Sequence, residues 1–103
     1  MNRMSYREVE LEILRWAEDR RIIPNATPTS QLLKAVSEMG ELADAEGKRN
    51  RELIRDAVGD VMVCLINYCA LRDIDIVSCM ADAYDQIKDR RGTLMPDGTF
   101  VKE

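Results

Sequence analysis

The chain reads as one all-α domain, a four-helix bundle-like fold with a short extended tail, and three observations predict it. Apolar residues recur at steps of three and four through four segments. Each segment opens on a capping residue, and turn-forming residues separate the segments with no linker long enough to divide residues 1–103 into two domains. The segment from Ala57 to Leu71 is apolar on nearly every side, which is the pattern of a central helix covered by neighbours.

Taken in order, Ser5-Tyr6-Arg7-Glu8 spells a capping box, and the first helix should run to about Arg21 with Val9, Ile13, Trp16 and Ala17 on one face. Ile23-Pro24-Asn25 breaks it. Thr27 followed by Pro28 starts a second helix with Leu32, Ala35, Val36, Met39, Leu42 and Ala43 as its apolar face, ending at Gly47. Asn50 caps the third helix, and Asp75 caps a fourth that ends near Arg91, with Ile74 and Cys79 spaced as a hydrophobic staple. In the tail, residues 92–103, Pro96-Asp97-Gly98 lies between Leu94-Met95 and Phe100-Val101 and reads as the turn of a short hairpin or extended arm. Met39, Met62 and Met80 read as core filler. Four helices in 103 residues leave a thin core, so the apolar third helix and the tail are expected to be covered in a homo-oligomer, a dimer or a tetramer.

Composition removes whole classes of chemistry. There is no histidine, which excludes Ser-His-Asp and Cys-His relays, histidine-bearing zinc sites and the Glu-x-x-His di-iron centre. A net charge of −4 and a pI near 4.9 argue against a general nucleic-acid or anionic-membrane binder. Cys64, Cys69 and Cys79 are odd in number and form no C-x-x-C, so all three read as reduced core thiols of a cytoplasmic protein. Arg3, Arg7, Glu8, Glu10 and Glu12 exclude a signal-peptide core, and the longest uncharged apolar run, Val61 to Leu71, is too short to span a bilayer.

The chemistry concentrates on the two helices flanking the Gly47 to Asn50 turn. Glu38 and Glu41 lie three apart on one, Asp56 and Asp60 four apart on the other, so each pair shares a helical face. In an antiparallel hairpin about that turn, Glu38 comes level with Asp60, and Glu41 with Asp56 or Ala57. Four converging carboxylates raise one another's pKa, and a divalent cation removes that conflict. An oxygen-only donor set selects Mg²⁺ or Mn²⁺. For Asp60, inside Val58-Gly59-Asp60-Val61-Met62-Val63, the alternative is a buried ion pair with Lys34 or Arg55. Gly40 and Gly59 beside these acids suggest a close approach of backbone or ligand.

Gln31, Lys34, Glu38 and Glu41 follow one edge of the second helix, and Asn67 lies two turns beyond Asp60. Gln31 and Lys34 are either the edge of a phosphate or base site or ordinary surface, and Asn67 either serves that site or bonds within the core. Trp16 is either core or a platform for a base. Lys88, Arg90 and Arg91 either contact phosphate or complement the dipole of the fourth helix.

Gln31-Leu-Leu-Lys34 leading to Glu38-x-x-Glu41-Leu42-Ala43, then Gly59-Asp60-Val61 with Leu65-Ile66-Asn67, resembles the MazG-like branch of the all-α nucleoside triphosphate pyrophosphohydrolases, small phage-type members included. Ile87-Lys-Asp-Arg90-Arg91-Gly92 with Gly98-Thr-Phe-Val-Lys102-Glu103 is similar to the close of those short proteins. The resemblance implies Mg²⁺-dependent hydrolysis between the α and β phosphates of a nucleoside triphosphate to a monophosphate and pyrophosphate. It implies Glu38, Glu41 and Asp60 as metal-binding acids, with Glu38 and Glu41 the catalytic pair. Two positions depart from the pattern: Ser37 stands where the family has the first of two glutamates, and Ala57 where it has a glutamate, with Asp56 one residue earlier as the replacement ligand. These departures keep open a second class, an inactive helical module that senses nucleotides or binds another protein.

Overall fold

A computed structural model describes residues 4–103; Arg3, counted above among the N-terminal charges, lies outside the described residues. Helix α1 (Tyr6–Asp19) begins at the predicted capping box, in which Ser5 Oγ accepts from the Glu8 N–H and the Ser5 N–H donates to the Glu8 carboxylate, both at 3.2 Å. It stops before the expected Arg21, which takes a left-handed φ of 63° that an α-helix cannot continue through. A short turn, α2 (Ile22–Asn25), in which Ile23 and Pro24 depart from helical angles, leads to Thr27, whose hydroxyl accepts from the Ser30 N–H at 3.0 Å and opens α3 (Pro28–Gly47).

Helices α3 and α4 (Arg51–Leu71) form the long hairpin that carries the acids. Between them Arg49, at a φ of 53°, reverses the chain, and the Asn50 side chain accepts from the Leu53 N–H at 3.1 Å to start α4. Asp75 caps α5 (Ile76–Ile87). This helix ends at Ile87, short of Arg91, and the tail returns beside the segment that follows: the Arg91 carbonyl accepts from the Glu103 N–H at 3.0 Å. Lys88, Arg90 and Arg91 consequently lie beyond α5. Strands β1 (Gly92–Leu94) and β2 (Phe100–Lys102) then pair antiparallel, Thr93 opposite Val101, as the turn residues predicted. Gly98 sits in this turn at a φ of 91°, a conformation that side chains disfavour.

Helix α4 is the hub. It contacts α1, α2, α3 and α5, and it buries Ala57, Val61, Cys64, Ile66, Asn67 and Cys69. Ile66, Cys69 and Ile76 form the densest cluster, against which Ile13, Leu14 and Met62 pack. The expectation fails on α3, where only Ala35 and Ala45 are buried while Leu32, Val36 and Met39 face outward. Met80 and Cys79 are likewise exposed, so two of the three methionines and one of the three thiols are not core. The cause is geometric: α1 and α5 lie on α4 and leave the outer face of α3 uncovered. The radius of gyration is 16.2 Å, against about 13 Å for a globule of this length. Among the described residues, no helix is long and apolar enough to cross a membrane.

Candidate metal and nucleotide site

The α3–α4 hairpin brings the predicted acids into one region in two levels. At the first, Glu38 on α3 is mostly buried, its side chain 13% exposed, with Oε1 3.6 Å from the Lys34 ammonium one turn away. Glu38 Oε2 is buried and has no hydrogen-bond partner among the described residues. Asp60 on α4 is half-buried, and its carboxyl is raised above the ordinary value by burial first, then by the charges of Asp56 and Glu38, with Lys34 opposing. Asp60 forms no ion pair with Lys34 or Arg55 among the described residues. At the second level Glu41 and Asp56, both exposed, line a cleft of about 220 Å³ together with Asp44 and Lys48.

Among the described residues, no three ligating side chains stand close enough together to hold one ion in these rotamers. The backbone converges the acids, and mutual repulsion of like charges favours splayed side chains. The donor set still fits a hard divalent cation on two observations: every donor is a carboxylate oxygen, and Glu38 Oε2 is an orphaned buried acceptor beside a carboxyl whose ionisation is opposed.

Other predicted residues divide by position. Asn67, 2% exposed, has a buried Oδ1 with no partner among the described residues, so it does not satisfy one of their backbone groups through that atom. Gln31 is half-buried and Lys34 largely exposed on the same helix edge. Trp16 is not core: it is 45% exposed and lines a cleft of about 410 Å³ with Asp60, Ile13 and Val63. Lys88 pairs with Asp85 at 3.2 Å, and Arg90 and Arg91 line a groove beside Lys102 at the hairpin, so this protomer does not bring Lys88 or Arg91 to the acids. Gly40 and Gly59 do not mark a close backbone approach, since a Cβ at either meets nothing within 4 Å.

Sequence reasoning missed Glu10. It is 6% exposed and borders a cavity of about 500 Å³ between α1 and α4, whose wall includes Tyr6, Ile13, Asp56, Asp60 and Val63. The available signal was Arg7-x-x-Glu10, a pair one helical turn apart. Its burial depends on how α1 docks, which spacing does not disclose.

No family model matches the sequence. Over 65 residues, 63% of the chain, it is 35% identical to an uncharacterised 18.2 kDa protein from the rep-hol intergenic region of Haemophilus phage HP1, and it spans 40% of that relative's length. Among solved structures, it is similar to the cyanophage S-2L MazG-like pyrophosphohydrolase bound to dGDP and three catalytic Mn²⁺ ions per active site. The TM-score is 0.71 over 98% of this chain and 99% of that one, at 19% identity. The chain has the MazG-like fold. In this MazG-like fold the central hairpin is α3–α4, and the four acids lie along its facing edges, Glu38 and Glu41 on one helix and Asp56 and Asp60 on the other.

Proposed function

We propose that the protein hydrolyses a nucleoside triphosphate, ribo- or deoxyribo-, at the α–β bond, giving a monophosphate and pyrophosphate with Mg²⁺ or Mn²⁺ as the cofactor. The observation that carries this reading is the orphaned, buried Glu38 Oε2 beside the half-buried Asp60, in a fold shared with a solved protein that binds dGDP and Mn²⁺. Glu38, Glu41, Asp56 and Asp60 would hold the cation, which supplies polarisation of phosphate oxygens and acidifies bound water. One carboxylate of the Glu38 and Glu41 pair would accept the proton of the attacking water. Gln31 and Lys34, on the α3 edge that carries Glu38, and the buried Asn67 on α4 would assist from the α3–α4 side, and Trp16 offers a ring in the cleft it shares with Asp60. Lys88 and Arg91 serve the phosphates only from a second copy of the chain. We read the protein as a cytoplasmic homo-oligomer in keeping with its free thiols and uncovered apolar faces.

The test is release of pyrophosphate and monophosphate from a panel of NTPs and dNTPs with Mg²⁺ or Mn²⁺. Glu41→Gln and Asp60→Asn are expected to lower turnover at least about 100-fold, the scale on which a lost acid–base group acts. No turnover of any nucleotide, with no rise in melting temperature on adding the metal, sinks the proposal. That outcome would favour the non-catalytic nucleotide-sensing module, a reading supported by Ala57, which is 5% exposed and packs as core where a ligand would be needed.

A further inference from the structure

The cavity between α1 and α4 contains a carboxylate to which the hydrolase reading gives no task. Arg7 Nη1 donates to Glu10 Oε1 at 2.7 Å, and the same guanidinium binds both oxygens of Asp75, at 2.7 and 3.1 Å. Asp75 is itself fixed by capping α5, accepting from the Ser78 N–H at 3.1 Å and the Ser78 hydroxyl at 2.8 Å. Glu10 is thereby anchored through two helices and presents a rigid acceptor. Arg7 and Asp75 border a groove on one side of Glu10; on the other, Glu10 borders the cavity of about 500 Å³ shared with Asp56 and Asp60. Arg7 takes one lone pair of Oε1, and no other described residue donates to Oε1 or Oε2, so both oxygens keep acceptor capacity. Glu10 lines that cavity, which is of ligand size, and keeps acceptor capacity to spare.

We infer that Glu10 is the specificity residue for the base of the nucleotide, and that the base it selects is guanine. The inference rests on the hydrolase reading only for where the phosphates lie. With phosphates at the Asp56 and Asp60 end, the base falls between the apolar walls of the same cavity, Val9 and Ile13 on α1 against Met62 and Val63 on α4. An ionised carboxylate accepts hydrogen bonds and donates none. Guanine alone offers two adjacent N–H donors on its pairing edge, at N1 and N2. Adenine and cytosine set a ring-nitrogen acceptor beside their amino group, and uracil and thymine flank their one N–H with carbonyls, so each turns a lone pair toward the carboxylate. A site built to accept from two donors rejects analogues that lack them far more strongly than an apolar pocket can.

Calorimetric binding of dGDP, dADP, dCDP and dTDP to the full chain with Mn²⁺ tests this independently of turnover. Wild type is expected to favour dGDP at least about tenfold, and Glu10→Gln to reduce that preference below about threefold, the range that a paired hydrogen-bond contact commands. A merely structural Glu10 would instead weaken all four nucleotides together and lower the melting temperature. Should Glu10→Gln fail to fold, Gly59→Leu decides. Gly59 borders the same cavity, a Cβ there meets nothing within 4 Å, and leucine favours helix over glycine. It is expected to abolish the guanine preference in a folded protein, and a retained tenfold preference overturns the inference. Equal binding of the four nucleotides by wild type, or a preference for another base, also overturns it. Guanine-selective binding without pyrophosphate release would remove the hydrolase reading and leave the base site standing.

Discussion

At Asp60 and Asp75 the same side chain is driven in opposite directions. Burial and the neighbouring Asp56 and Glu38 charges raise the Asp60 carboxyl, whereas Arg7 and Ser78 hold Asp75 well below the usual carboxylate range. A raised carboxyl favours its protonated form in the folded state, so the Asp60 contribution to stability improves as pH falls through its raised pKa. The Asp75 contribution runs the other way: it is present above the unfolded-state pKa and is lost as pH falls below the ordinary carboxylate range. Asp60→Leu is therefore expected to raise the melting temperature of the metal-free protein at neutral pH and to abolish its increase with Mn²⁺. Lower stability than wild type in thermal scans would count against a functional carboxylate. Glu38, Glu41, Asp56 and Asp60 were legible in the sequence because helical spacing alone places them on facing edges of one hairpin. Glu10 was not, because its partner's other contact, Asp75, is 68 residues from Arg7 along the chain.

Helix starts were legible for a local reason: Ser5, Thr27, Asn50 and Asp75 each satisfy a first-turn N–H within three residues. Thr27→Ala is expected to cost about 1 kcal/mol. In a domain of this size that lowers the melting temperature by about 4–8 °C, read by calorimetry or circular dichroism. Helix ends were less legible, since α1 stops where Arg21 turns left-handed and α5 stops at Ile87, before the segment to which the C-terminal Glu103 returns. The glycines beside the acids carry a second prediction. Gly40 has open space where a Cβ would stand, so Gly40→Ala should stabilise the helix by up to about 1 kcal/mol, seen as a higher denaturation midpoint. Destabilisation would mean that another copy packs closely at this point.

The whole protomer exposes more surface than its mass calls for. Its accessible area is 8196 Å², whereas a compact monomer of 11.8 kDa exposes about 5,900 Å². The surplus, about 2,300 Å², falls near the upper end of what an obligate interface removes from each partner, and Leu33 and Val36 on α3 are both 64% exposed. Light scattering is expected to give a dimer or tetramer for wild type and a monomer for Val36→Glu, with hydrolysis falling alongside. A wild-type monomer would refute this. Spacing and capping by themselves determined the helices, the α3–α4 hairpin and the all-oxygen character of the acid patch, because those depend on residues within a few turns of one another. Only the tertiary structure decided that Trp16 and Glu10 border clefts beside Asp60, that Lys88 and Arg91 stand apart from the acids, and that the apolar edge of α3 faces outward. Each of these depends on how α1 and α5 dock on α4, and docking is set by contacts between distant parts of the chain that no local pattern encodes.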